Sequence, residues 1–179
     1  MKIWILFLTF LLPFFSLSAS VNAAPTYSDW QMISSLSPVV TVSEKLTEES
    51  NYSKELVTII EEAKTDCNDF ENGELQIPTI AIKTVDLNKD GKLDEIFNFG
   101  AAECSSTSSL WSGSGGSWWA LIVDGKITRF LARDLEVIYP FGDYPVVILS
   151  VHGSFCGRAG VVDCVTSTVW SHGDFQTLK

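Results

Sequence analysis

Trp118-Trp119-Ala120-Leu121-Ile122-Val123-Asp124-Gly125-Lys126-Ile127-Thr128-Arg129-Phe130-Leu131 is the stretch whose reading decides the fold. Two runs rich in β-branched, aliphatic and aromatic residues flank Asp124-Gly125, a dipeptide that suits a two-residue hairpin turn because both positions need positive φ. So short a connection leaves no room for a crossover, and the two strands are antiparallel. Working outward, period-two alternation or short apolar runs predict strands at 79–86, 95–99, 118–124, 127–133, 135–139, 145–151 and 165–170. Before Gly73 the period changes. From Ser53, a good N-cap, Leu56, Ile59, Ile60, Ala63 and Cys67 follow the i, i+3, i+4, i+7, i+11 spacing of a helix whose apolar face packs on a sheet. Glu61, Glu62, Lys64 and Asp66 fall on its solvated side. The expected class is α+β: a largely antiparallel sheet of six or seven strands carrying one packed helix. No internal repeat is present, which excludes a β-propeller.

Between the first two of these strands lies Asp86-Leu87-Asn88-Lys89-Asp90-Gly91-Lys92-Leu93-Asp94, with oxygen-bearing side chains at alternate positions around a glycine. Asp86, Asn88 and Asp90 stand at relative positions 1, 3 and 5. Gly91 at 6 can take the positive φ of a tight loop, Lys92 at 7 offers its backbone carbonyl, and Asp94 stands at 9. Hard cations want oxygen ligands, so this is read as a calcium loop with Asp86, Asn88, Asp90, Lys92 and Asp94 as ligands. Lys92 is expected to point its ammonium away. An EF-hand is excluded, because its twelfth position, where a bidentate Glu belongs, is Phe97. Asp94 is the best remaining bidentate ligand. The competing reading is a plain polar hairpin turn, which has no need of acids at alternate positions. The segment resembles the short DxDxDGxxD loops of integrin-like FG-GAP and VCBS repeats, which also sit between strands. That resemblance covers about ten residues and implies ion chemistry only.

The N-terminus reads as an export signal, with Lys2, the apolar run Ile3 to Leu17, and Val21-Asn22-Ala23 as a small-x-small cleavage site before Ala24. Residues 1–23 are thus the expected signal peptide and 24–179 a single domain. The apolar run falls short of the ~20 residues a spanning helix needs, so no membrane insertion is expected after cleavage. Without Lys2 the chain has 11 basic against 22 acidic residues. Such an acidic protein is a poor partner for nucleic acid and a good one for cations. Export implies a periplasmic or secreted location and an oxidising compartment, where Cys67, Cys104, Cys156 and Cys164 read as two disulfides. Three connectivities are open. Gly157 and Gly160 favour Cys156 with Cys164, which leaves Cys67 with Cys104.

Residues 100–117, rich in Ser and Gly around Leu110 and Trp111, are expected to form a long surface loop. Trp111, Trp118 and Trp119 could offer flat faces to a glycan or an envelope protein. The plainer account has Trp118 and Trp119 opening a strand, one ring in the core and the other partly exposed. A case for catalysis is weaker. His152-Gly153-Ser154-Phe155-Cys156-Gly157-Arg158 collects a base, a hydroxyl and a thiol, with Asp163, His172 and Asp174 downstream, but no G-x-S-x-G elbow is present. A zinc site from His152, Cys156, Cys164 and His172 competes with disulfide formation and loses in an oxidising compartment.

From Asp86 through Glu103-Cys104, Gly113-Ser114-Gly115-Gly116 and the 151–160 segment to Val169-Trp170, the chain resembles a set of small exported bacterial proteins whose activity is not known. In that set two cysteines bracket the Gly-rich loop, and Ser112 and Ser117 occupy the matching positions here. The resemblance implies export, one domain and a calcium loop. The functional expectation is a periplasmic or secreted calcium-binding domain with a structural ion, acting as a binding module; a hydrolase centred on His152 is the alternative.

Overall fold

The computed structural model describes residues 39–41, 52–142, 144–162 and 164–177. The expected signal peptide with its cleavage point, and Asp163, lie outside the described residues. In chain order the elements are β1 (Val39–Thr41), α1 (Lys54–Asp69), β2 (Leu75–Pro78), β3 (Ile82–Val85), β4 (Asp94–Asn98), β5 (Glu103–Cys104) and β6 (Ser112–Gly113). There follow β7 (Gly116–Val123), β8 (Lys126–Ala132), β9 (Asp134–Phe141), β10 (Tyr144–Val151), β11 (Cys164–Ser171) and β12 (Asp174–Thr177).

The class is α+β and largely antiparallel: every pairing among the described strands runs antiparallel. The turn that decided the reading has Asp124 at φ 51° and Gly125 at φ 73°, with Val123 paired to Lys126 across it. The seven expected strands are all present to within three residues. They do not form one sheet. β3-β4-β7-β6 with β8 make a five-stranded sheet, β12-β11-β10-β9 a four-stranded one, and β1-β2-β5 a small third. Residues 79–81, expected to open a strand, form a 3-10 turn that leaves Ile80 64% exposed. The unanticipated strands β1, β2, β5, β6 and β12 are two to four residues long, too short to show a period.

The five-stranded sheet is the middle layer. On one face Phe97, Phe99, Ala120 and Ile122 pack against Leu56, Ile59, Ile60, Ala63 and Cys67, the five helix positions that the spacing predicts. On the other face Ile96, Trp119, Leu121 and Val123 meet Leu135, Val147, Leu149, Val151 and Trp170 of the four-stranded sheet. Covering on both sides explains why Ala120 to Val123 is apolar without alternation, since a strand buried on two faces has no solvent side. Helix α1 is capped by Ser53, whose side chain accepts the Leu56 N–H at 3.1 Å.

Two disulfides join Cys67 to Cys104 and Cys156 to Cys164, with Cα atoms 5.6 and 6.3 Å apart. The first ties the last turns of α1 to β5, and Gly73 lies so close that a Cβ there would come within 2.5 Å of the Cys104 sulfur. Among the described residues no helix is long and apolar enough to cross a membrane.

Candidate functional site

Residues 86–94 form the connection between β3 and β4, and the loop's own backbone arranges its acids. Asp86 reaches into the turn it starts: Oδ1 accepts the Lys89 N–H at 2.6 Å and Oδ2 the Gly91 N–H at 3.0 Å. Asn88 Oδ1 accepts from Asp90 N at 3.0 Å, and Asp90 Oδ1 from Lys92 N at 2.8 Å. Asp94, at the far end, accepts the Leu87 N–H at 2.7 Å. Each expected side-chain ligand is thus held by a neighbour two to seven residues away. Gly91 takes φ 85°, as its place in the loop requires. Lys89 takes φ 66° as well, a strained conformation for a side chain with a Cβ, costing about 1 kcal/mol. Nothing in the alternation of acids signals that second left-handed residue.

Asp94 is 8% exposed. Burial pushes its carboxyl above its ordinary value; the Leu87 N–H opposes the shift, and the charges of Asp90, Asp124 and Asp86 add to it. Asp124, in the β7–β8 turn, is a member of this acidic neighbourhood that spacing along the chain could not reveal. A cleft of about 370 Å³ lies between the loop, the start of α1 and that turn, lined by Ser53, Asp90, Asp94, Glu95 and Asp124 among others. Lys92 departs from expectation. Its ammonium does not point away but lies 3.4 Å from Asp90 Oδ2, on the solvent side of the loop. The Lys92 N–H is the main cause that holds the Asp90 carboxyl below its ordinary value, opposed by desolvation and helped by that ammonium.

The residues fit a hard cation in donor chemistry, with carboxylate, amide and carbonyl oxygens in one turn. A carboxylate oxygen that accepts an N–H keeps a second lone pair for a metal. Among the described residues no three His, Cys, Asp or Glu side chains already converge as a metal site, so ligation by Asp86, Asp90 and Asp94 together would need them to draw closer.

Asp94 and Glu95 are consecutive and look opposite ways. Glu95, 7% exposed, accepts from Ser53 N at 3.0 Å and also from the Ser53 hydroxyl. The strand leaving the loop is therefore bonded directly to the N-cap of α1, a contact across 42 residues.

The tryptophans divide between two faces. Trp119 is 4% exposed, and its Nε1 donates to the Ala132 carbonyl at 3.2 Å, so it belongs to the core and not to a ligand surface. Trp118, 44% exposed, points to the helix side of the sheet, where it lines a cleft of about 600 Å³ with Trp111. Trp111 leans on Phe99 at 6.2 Å between ring centroids and donates from Nε1 to Asp66 at 3.5 Å. Arg129 stands 5.8 Å over the Phe99 ring and pairs with Glu62 of α1. Ser112 and Ser117 face each other across β6 and β7, and Arg133 donates to the Ser114 carbonyl and, at 2.7 Å, to that of Gly160.

The segment around His152 is organised as a cap. His152 Nδ1 lies 2.7 Å from Ser154 Oγ and 3.4 Å from Ser154 N, closing the 3-10 turn Gly153–Cys156. Asp174 is engaged 2.9 Å from Lys126, and both Cys156 and Cys164 are in their disulfide, which removes the thiols a zinc site needs. Compared with protein-family models, curated proteins and solved structures, the chain gives no match, so its reading rests on these residues.

Proposed function

We propose that this is a calcium-binding domain of the periplasm or the extracellular space, in which a structural ion bound by Asp86, Asn88, Asp90, the Lys92 carbonyl and Asp94 stiffens a module that binds a partner at the Trp111–Trp118 cleft. The observation that carries the reading is the set of loop N–H bonds that hold alternate side-chain oxygens around Gly91. The FG-GAP and VCBS resemblance points to the same ion. Two disulfides suit an oxidising compartment. The ion would clamp β3 to β4 and, through Glu95, steady the start of α1. The 2.7 Å contact between His152 and Ser154 supports a hydrolase as a second reading, which weighs less because that contact also closes a local turn.

With an illustrative dissociation constant of about 10 μM, 1 mM calcium would add roughly 2.7 kcal/mol, provided the unfolded chain does not bind. A gain of that size raises the melting temperature by about 5 to 10 °C. Melts in EDTA, across a calcium series and with magnesium as control measure it. Asp90→Ala should abolish the calcium-dependent rise; a variant that responds like the parent removes the loop from consideration.

Lys92 gives a second check on the same assignment. Lys92→Gln keeps the backbone carbonyl and removes an ammonium that competes for Asp90. Because the pair is exposed, the expected gain is small, about a twofold fall in the calcium midpoint. A weaker site in that variant would mean that the lysine side chain supports the loop instead of opposing the ion.

A further inference from the structure

We infer that the cleft between α1 and the 110–116 segment takes a neutral, hydroxyl-rich ring, a pyranose sugar. The inference rests on the reading of this cleft as the module's binding face and names the class of its ligand. Its floor is the helix-side face of β7 and β8 that α1 leaves uncovered: Trp118 stands opposite Leu131, and Arg129 opposite Ala120. One wall is α1 with Glu62 and Asp66, and the other is the small-residue turn with Trp111 above it. A volume of about 600 Å³ lies within the range of small-molecule sites.

The lining selects among ligand classes. An anion is disfavoured, since Glu62 and Asp66 outnumber Arg129, in a protein whose net charge is -10. A quaternary cation would find both carboxylates already engaged, Glu62 by Arg129 and Asp66 by the Trp111 indole, and the guanidinium over Phe99 would repel a second positive charge. A wholly apolar ligand would strip water from the remaining lone pairs and N–H groups of Glu62, Asp66 and Arg129 and offer them no partner in exchange. What remains is a ligand with an apolar face and a rim of hydroxyls. The exposed ring of Trp118 and the half-buried ring of Trp111 supply flat surfaces for C–H groups. Paired carboxylate oxygens and the fork of donors on Arg129 suit vicinal hydroxyls, which both donate and accept. The walls are preset: Trp111 is bonded to Asp66, Arg129 to Glu62, and Ser114 to Arg133. Less ordering cost therefore remains for the ligand to meet.

The test uses the full exported domain with calcium present and follows the indole N–H signals by NMR while chitotriose, cellotriose and maltotriose are added in turn. At least one trisaccharide should shift the Trp111 and Trp118 indoles saturably, leaving the buried Trp119 unmoved. Trp118→Ala should weaken that binding at least tenfold. Asp66→Asn, which keeps the fold and removes one acceptor charge, should weaken it several-fold. Retention on chitin, cellulose or starch, competed by the matching trisaccharide, identifies a sugar taken within a polymer, whereas binding without retention identifies a free oligosaccharide. If no trisaccharide moves these indoles up to about 10 mM, a range where even weak millimolar binding registers, the inference fails. Shifts with phosphate or tetramethylammonium alone overturn the sugar class while leaving the cleft a binding site. The calcium melts stand independently of either result.

Discussion

A Cys67→Ala/Cys104→Ala double variant is expected to unfold about 10 °C below the parent, the loss corresponding to roughly 4 kcal/mol for releasing a loop of about 38 residues. The estimate follows from the place of the bridge. Cys67 is fully buried on the inner face of α1 and Cys104, 6% exposed, closes the short β2–β5 pairing. The segment between them contains β3, the 86–94 loop and β4. Cutting the bridge thus frees the segment that carries every expected ion ligand, and the calcium-dependent rise in melting temperature should be altered in the same variant. The comparison is Cys156→Ala/Cys164→Ala, whose loop of about nine residues is worth roughly 2.5 kcal/mol by the same relation. Chemical denaturation of both variants, in oxidised and calcium-saturated form, measures the difference. Equal losses would show that loop length is not what the longer bridge contributes.

Glu95→Ala is the second large effect. The carboxylate is 7% exposed and holds both the backbone N–H and the hydroxyl of Ser53, while the Ser53 oxygen accepts from Leu56 N. Truncation leaves the Ser53 N–H without its acceptor and frees the cap of α1, with an expected cost of about 3 kcal/mol. The same variant should bind calcium more weakly, since Asp94 is the adjacent residue on β4 and the start of that strand loses its anchor. Glu95→Gln retains an oxygen acceptor and should recover much of the stability. Urea titrations, with Glu61→Ala as an exposed control on the same helix, decide it. If Glu95→Ala costs no more than the control, the link from loop to helix cap carries no energy.

How far the chain could be read follows from the range of each signal. The α1 face was legible because five apolar positions at helical spacing are all buried, and the cap at Ser53 uses a bond only three residues long. The Asp124-Gly125 turn was legible for the same reason, its positive φ values being a property of two adjacent residues. The 86–94 loop shows both sides. Alternate acids and Gly91 are local, and the N–H bonds that order them span two to seven residues. Asp124 entered the neighbourhood of the loop only through sheet pairing, and the bond from Glu95 to Ser53 arises only where α1 meets β4. The approach of the Lys92 ammonium to Asp90, a contact between exposed groups, has no signal in the spacing of the loop residues. Trp118 and Trp119 could be assigned to opposite faces by strand period alone. Which of the two faces the cleft depended on where α1 ends over the sheet.

By itself, then, the sequence determined the helix and its buried face, seven of the strands, the tight hairpin and the loop of alternating oxygens. These rest on interactions between residues close in the chain, where spacing is a sufficient guide. Tertiary structure decided that the strands divide into separate sheets, that the middle sheet is covered on both faces, and that Glu62, Asp66, Trp111, Trp118 and Arg129 share one cleft. The physical reason is that a sheet surface buries whatever the rest of the chain lays over it. That covering is a balance of apolar area and hydrogen bonds between residues dozens of positions apart, on which local periodicity has no purchase.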